Sequence, residues 1–107
     1  MAITEVNQID AIGKENKNLR LVIIDFLNWE YEDMHLEMLQ DKINNYLMFI
    51  EKKQYMEDYG DDFEKKIIDI RFKHGITANG VKFINAVSSQ INKEDIFINI
   101  HLPEIQG

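Results

Sequence analysis

The chain has 107 residues, of which 45% are hydrophobic and 29% charged, and this composition is typical of one small globular domain over residues 1–107. Acidic residues outnumber basic ones 19 to 12. The net charge of −7 repels phosphate backbones, so no nucleic-acid partner is expected. The absence of cysteine excludes disulfides and thiol catalysis. Without a membrane-spanning apolar run or a signal peptide, we expect a cytoplasmic protein with no membrane partner.

The first half of the chain predicts two strands followed by a long helix. A weak strand is predicted over residues 6–12, and a loop with glycine and asparagine over residues 13–18. The next strand, over residues 19–29, is apolar in both of its alternating sets, which is typical of a central or doubly covered strand. From about Glu32 to Lys53, leucine and isoleucine recur every three or four residues. This spacing predicts an amphipathic helix on the order of 30 Å long.

The second half predicts a strand, a helix and a final strand. An acidic connection over residues 54–66 leads into a strand over residues 66–74. Thr77 is a suitable N-cap for a helix that continues to about residue 91, and a cleanly alternating strand follows over residues 96–102. The order β-β-α-β-α-β predicts an α+β fold in two layers. We expect a four-stranded mixed sheet with both helices on one face.

The segment "NWEYEDMHLEMLQDKINNYLMFIE" resembles a family of short bacterial proteins of unknown function. In that family an acidic turn containing tryptophan leads into a helix that starts with His-Leu. The early "IDAIG" and the first strand are also similar, so the resemblance covers about the first half of the chain. Family members often have proline near the helix start, where this chain has Glu32. The resemblance implies the fold and brings no activity or cofactor. The matching positions are Trp29, His35, Leu36, Leu39, Gln40, Lys42, Tyr46, Phe49, Ile50 and Glu51.

The acidic cluster around His35 is a candidate metal site that the spacing does not support. Glu30, Glu32 and Asp33 precede the histidine, but no ligand lies three or four residues after it on the same helix. Acidic side chains in a first helical turn are favoured by the helix dipole. We therefore interpret the cluster as a helix start.

Two histidines lie at predicted strand ends. If their strands are neighbours, His74 and His101 with a carboxylate such as Asp69 would form a minimal metal or acid–base site. A small metal-dependent or acid–base enzyme is therefore the alternative function. The acidic segment 57–64 does not fit the ligand register of a calcium loop, and no phosphate loop or nucleophile motif is present. We assign no catalytic, metal or cofactor-binding residue and expect no cofactor.

The sequence contains more apolar strand residues than one packed face requires. If both helices cover one face, the other face remains partly apolar, and such patches usually mark association. We predict a non-enzymatic protein-interaction module, for example an adaptor or an immunity-type inhibitor of a basic protein. We expect a homodimer through the open sheet face or an edge strand. Alternatively, the N-terminal segment and residues 54–66 cover that face in a monomer. The predicted partner-binding residues are Trp29, Tyr31, Asp61, Asp62 and Phe97.

Overall fold

The computed structural model describes residues 2–103, and the predicted domain of residues 1–107 extends beyond them at both ends. The described residues form four strands, two long helices and one short helix, and a 3-10 turn over Asn92–Glu94 precedes the last strand. The elements are β1 (Ala11–Glu15), β2 (Asn18–Asp25), α1 (Glu32–Glu51), α2 (Met56–Tyr59), β3 (Lys65–Phe72), α3 (Ala78–Ile91) and β4 (Ile96–His101).

The four strands form one mixed sheet in the order β1-β2-β3-β4. β1 and β2 form an antiparallel hairpin, whereas β2, β3 and β4 run parallel to one another. This arrangement confirms the predicted α+β fold. The short helix α2, within the segment that we predicted as a plain connection, is the main addition.

The hydrophobic core lies between one face of the sheet and the helices. The alternating side chains of β2 and β3 that face the helices are almost completely buried. The other alternating set lies outside this core, and we call that side of the sheet the open face. The core includes Leu19, Leu21, Ile23, Leu39, Ile43, Ile50, Ile68, Ile70, Phe72, Ile84 and Ile91. By strand register, the open face carries Arg20, Val22, Ile24, Ile67, Asp69, Arg71, Phe97, Asn99 and His101.

The first strand begins later than the sequence indicated. Residues 6–12 were expected to form it, but β1 begins at Ala11. The cause is Asp10, whose carboxylate accepts a hydrogen bond from the backbone N–H of Ile24 at 2.9 Å. The same carboxylate lies 2.8 Å from the ammonium of Lys42 in α1. This side chain occupies the position of a strand partner and diverts the preceding residues towards the helix.

The N-terminal segment and residues 54–66 both pack on the helix side of the sheet. Ile3 and Tyr55 are fully buried members of the main core. The Lys42 ammonium also donates hydrogen bonds to the backbone oxygens of Glu5 and Gln8, which fastens the N-terminal segment to α1. Among the described residues, neither segment covers the open face.

The start of α3 follows the predicted cap. The Thr77 hydroxyl accepts a hydrogen bond from the backbone N–H of Gly80 at 3.0 Å. A Cβ atom at residue 80 would lie 2.7 Å from Cγ1 of Ile76, so glycine allows the turn before α3 to pack closely. None of the described helices is long and apolar enough to cross a membrane.

Candidate functional site: the carboxyl ends of the strands and the free edge of the sheet

A buried polar joint connects the end of β2 to the start of α1. The Nε2 atom of His35 lies 2.5 Å from Oδ2 of Asp25, and its Nδ1 atom lies 3.2 Å from the backbone oxygen of Asn28. The side chains of His35 and Asp25 are only 2% and 0% exposed. The ring of Trp29 stacks on the imidazole with 3.6 Å between centroids. The histidine of the acidic cluster is therefore an internal side chain.

The hydrogen-bond partners determine how many protons this pair holds. The Nδ1 atom of His35 faces a carbonyl oxygen, which can only accept, so Nδ1 carries a proton. One further proton lies between Nε2 and the Asp25 carboxyl. Burial raises the pKa of Asp25, and the hydrogen bond with His35 opposes that shift. Because both ring nitrogens are occupied and buried, His35 is not placed to transfer protons to a bound substrate.

Trp29 links this joint to the turn between β3 and α3. Its indole N–H donates a 2.7 Å hydrogen bond to the backbone oxygen of Gly75, and its ring lies 6.1 Å from that of Phe72. The side chain is only partly buried. Much of the predicted partner-binding surface of Trp29 is thus used inside the protein.

Tyr31, Asp61 and Asp62, three other residues predicted to bind a partner, make no side-chain hydrogen bond or ring contact with the joint around Trp29 in the described part of the chain. Tyr31 is 68% exposed just before α1, and Asp62 is exposed after α2. Asp61 accepts hydrogen bonds from the Lys53 ammonium at 2.7 Å and the Tyr55 hydroxyl at 2.6 Å. These two bonds lower the pKa of Asp61, and burial together with this carboxylate raises the pKa of Tyr55 to about 12. Asp61 therefore holds the segment after α2 in place.

The open face contains a network of charged side chains at its centre. The Asp69 carboxylate is fully buried, with Oδ2 2.6 Å from Nη1 of Arg20 and Oδ1 3.1 Å from Nε2 of His101. Arg20 also lies 2.9 Å from the Glu15 carboxylate. His74 is exposed in the turn after β3 and does not join this network. The predicted combination of two histidines with Asp69 is therefore only half formed.

The metal-dependent form of the alternative function has no site in the described part of the chain. Within residues 2–103, no three side chains of histidine, aspartate or glutamate are arranged to hold a metal ion. Of the predicted acid–base combination, the structure forms the pair of Asp69 and His101. The carboxylate of that pair is already neutralised by Arg20.

Phe97, the fifth predicted partner-binding residue, lies on the open face of β4. It is opposite Ile67 in the strand register, and its side chain is partly buried. The ammonium of Lys65 lies 5.4 Å from its ring centroid. In residues 2–103, β4 pairs only with β3, so its other side is a free edge of the sheet.

An open groove of about 460 Å³ lies where β2, β3 and β4 end. Apolar and cationic side chains alternate around it, and three of the apolar ones are at least 40% exposed. The cations of this groove were not identified from the sequence, although "RFKH" places two of them at the end of an apolar strand. The groove is lined by Ile24, Phe26, Arg71, Lys73, His101 and Leu102, among others.

Comparison with known proteins identifies the family. The family of unknown function DUF6572 matches residues 1–104, so the chain belongs to this family. This match confirms the resemblance to a family of unknown function that the sequence indicated in its first half. Searches of curated proteins and of solved structures give no match. Since the family has no assigned activity, the functional proposals rest on the surfaces of this chain.

Proposed function

We propose that this protein is a non-enzymatic interaction module that forms a homodimer by pairing β4 of one copy with β4 of a second copy. The observation that carries the proposal is the free edge of β4. Strand edges with unpaired N–H and C=O groups pair readily with another chain unless charge, proline or a covering segment prevents it. Residues 96–101 contain no lysine, acid or proline.

The surroundings of β4 support a second copy as the partner. The helix α3, which packs beside β4, carries Lys82 as its only charged residue. The whole segment 78–103 has two lysines and two acids, so its formal net charge is zero in a chain of net charge −7. Depletion of charge is typical of the buried centre of interfaces. Two copies that meet here keep their acidic N-terminal halves apart.

Pairing about a two-fold axis at Asn99 gives complementary contacts. Antiparallel pairing with the open faces on the same side places Ile98 of one copy opposite Ile100 of the other. Both isoleucines are only partly buried in the single chain, and a second α3 would cover them further. Phe97 would lie opposite His101 of the second copy. The product is one continuous sheet of eight strands.

The mass in solution tests the dimer. Light scattering at micromolar concentration should give twice the monomer mass of 12.7 kDa. Asn99→Lys places two like charges across the axis and should weaken the dimer about tenfold or more. Asn44→Lys, on the exposed side of α1, makes the same charge change away from β4 and should have no effect. A monomer for the unaltered chain would refute the proposal.

Disulfide cross-linking tests the position of the axis. The chain has no cysteine, so Asn99→Cys introduces a single thiol at the proposed axis. Mild oxidation should yield a covalent dimer, since the two Cα atoms would lie within the range of a disulfide. Ala11→Cys, on the same face of the opposite edge strand, is the control and should not cross-link. Equal cross-linking of both variants would contradict pairing through β4.

An acid–base enzyme is the second candidate, and the Asp69–His101 pair favours it. The carboxylate orients one ring nitrogen of His101 while the imidazole is 47% exposed. Orientation by a carboxylate is typical of a general base. A thermal-shift screen with metabolites tests this candidate, because a bound ligand raises the melting temperature. A stabilising compound whose effect is lost in His101→Asn would support it, and no shift with any compound would count against it.

A further inference from the structure

The groove at the ends of β2, β3 and β4 has a charge opposite to that of the protein. Arg71 and Lys73 are exposed, and within residues 2–103 neither side chain has a hydrogen bond or ion pair. Arg20, in contrast, is paired with Asp69 and Glu15. The two uncompensated cations lie together beside a histidine in a chain of net charge −7. They create a local positive potential that attracts an anionic group.

The same groove exposes apolar surface next to these cations. Ile24 is 40% exposed, Phe26 42% and Leu102 54%. Asp25, whose carboxylate borders the groove, is fully buried and paired with His35. Among residues 2–103, the accessible chemistry of the groove is therefore cationic and apolar, without an exposed acid. A ligand that fits it has a carboxylate close to an apolar side chain.

The shape of the groove favours a polypeptide over a small molecule. Small-molecule sites enclose most of their ligand, whereas this groove is open to solvent along the ends of three strands. A polypeptide segment can place one apolar residue on Phe26 and Leu102 and continue across the surface. A neighbouring carboxylate then reaches Arg71, whose guanidinium can bind both carboxylate oxygens.

We propose that this groove binds an acidic polypeptide segment of a partner protein in which glutamate or aspartate alternates with large apolar residues. The proposal rests on the interaction role proposed above. Its groove shares His101 with the end of β4, but the cations and apolar side chains that bind the segment lie outside that strand. Arg71 binds a carboxylate, Lys73 adds long-range attraction, and Ile24, Phe26 and Leu102 contact the apolar side chains. The acidic surface of the rest of the chain repels the same segment from other sites.

Binding of a defined peptide tests the proposal. A short peptide of alternating leucine and glutamate should shift the amide NMR signals around the groove and leave those of α1 unchanged. Affinity should fall as salt rises, because the cations are exposed. The same peptide with glutamine in place of glutamate should bind about tenfold or more weakly. Equal binding of both peptides, or no shift up to millimolar concentration, would overturn the proposal.

Matched variants locate the site. Arg71→Glu with Lys73→Glu should abolish binding of the acidic peptide, whereas Lys82→Glu with Lys93→Glu, two exposed charge reversals in α3 and the turn after it, should leave it unchanged. Leu102→Ser should weaken binding without altering its salt dependence. Octanoate, a small molecule with a carboxylate and an apolar chain, is a further probe. If octanoate bound as tightly as the peptide, the ligand of the groove would be a small molecule and the proposal of a polypeptide segment would be wrong.

The measurements are made in both the unaltered chain and Asn99→Lys. Because Asn99→Lys weakens the proposed dimer but keeps the cations and apolar side chains of the groove, peptide binding should persist at a concentration where light scattering shows this variant to be monomeric. Failure of the dimer and failure of the groove are thereby distinguished. A peptide that binds only to the dimer would show that the groove by itself is not the site.

Discussion

The two edges of the sheet are protected to very different extents. β1 carries Lys14 and Glu15, and the backbone oxygen of Ile12 accepts a hydrogen bond from the Tyr59 hydroxyl at 3.3 Å. β4 has neither charged strand residues other than its terminal histidine nor, among the described residues, a segment bonded to its outer side. Charge and covering segments are the usual means by which proteins prevent pairing at an edge. Their absence from the described part of β4 is what supports the proposal that this edge associates.

The helices beside these two edges also differ in charge, and again the side at β4 carries less of it. α1, which is fastened to the N-terminal segment next to β1, carries five acidic residues. α3, next to β4, carries one lysine and no acid. The interiors of the two regions also differ, because α1 contains the buried Lys42–Asp10 ion pair and the buried hydrogen bond between His35 and Asp25, whereas α3 buries a plain apolar stripe. The side of the molecule at β1 and α1 is therefore charged, whereas the side at β4 and α3 is nearly neutral.

The largest expected effect on stability comes from Lys42, which fastens the N-terminal segment next to β1 to α1. Lys42→Met removes the partner of the buried Asp10 carboxylate and leaves two backbone oxygens without a donor. Loss of one partner of a buried ion pair typically costs about 3–5 kcal/mol. We expect a decrease of that size in the free energy of unfolding, measured by urea denaturation.

The double variant is the control for this change. Asp10→Asn combined with Lys42→Met has no uncompensated charge, and the asparagine oxygen can still accept from Ile24. It should therefore be more stable than Lys42→Met alone. If Lys42→Met alone lowered the free energy of unfolding by less than about 1 kcal/mol, Lys42 would not be an essential partner of the buried Asp10 carboxylate.

A smaller effect is expected at the joint between β2 and α1. Asp25→Leu leaves the Nε2 atom of His35 and the backbone N–H of Leu27 without their partner, at a cost of about 1–3 kcal/mol for each group. Asp25→Asn can donate to Nε2 and accept from Leu27, so its stability at neutral pH should stay within about 1 kcal/mol of the unaltered chain. Equal destabilisation in both variants would contradict the hydrogen-bonded role of Asp25.

The raised pKa of Asp25 gives this joint a pH dependence of known sign. A carboxyl whose pKa is higher in the folded chain binds its proton more tightly there than in the unfolded chain. Its stabilising contribution is complete below the unfolded pKa of about 4 and is lost as pH rises through the folded value. Relative to Asp25→Asn, the unaltered chain should lose stability as the pH rises above the unfolded pKa of about 4. If the unaltered chain instead gained stability relative to Asp25→Asn as the pH rises, the assigned direction of the pKa shift would be wrong.

The smallest energetic effect is expected when the charges of β1 are removed. Lys14→Thr with Glu15→Thr deletes exposed charges whose interactions contribute little, so the free energy of unfolding should change by less than about 1 kcal/mol. Association should change more, because both edges then lack charge. Sedimentation should detect species larger than the dimer, and an unchanged mass would show that the Tyr59 contact alone protects this edge.

Much of the fold could be predicted because its signals are local. The long helix, the strand before α3 and the Thr77 cap depend on residues within a few positions of one another, and each lies close to its predicted place. The first strand was misplaced because its start depends on contacts of Asp10 with residues 14 and 32 positions away. No local pattern contains that information.

The sequence by itself determined the class of fold, the acidic character of the chain and the surplus of apolar strand residues, since composition and periodicity record these directly. Only the tertiary structure decided the partner of His35, which is the one acid within the apolar β2 pattern, and the pairing of Asp69 with His101 and not with His74. It also brought Arg71, Lys73 and Leu102 to one groove, and among the described residues it left the outer edge of β4 without a contact like the one that β1 receives from Tyr59. These features depend on which strands are neighbours, and the order of strands in a sheet arises from packing between distant segments.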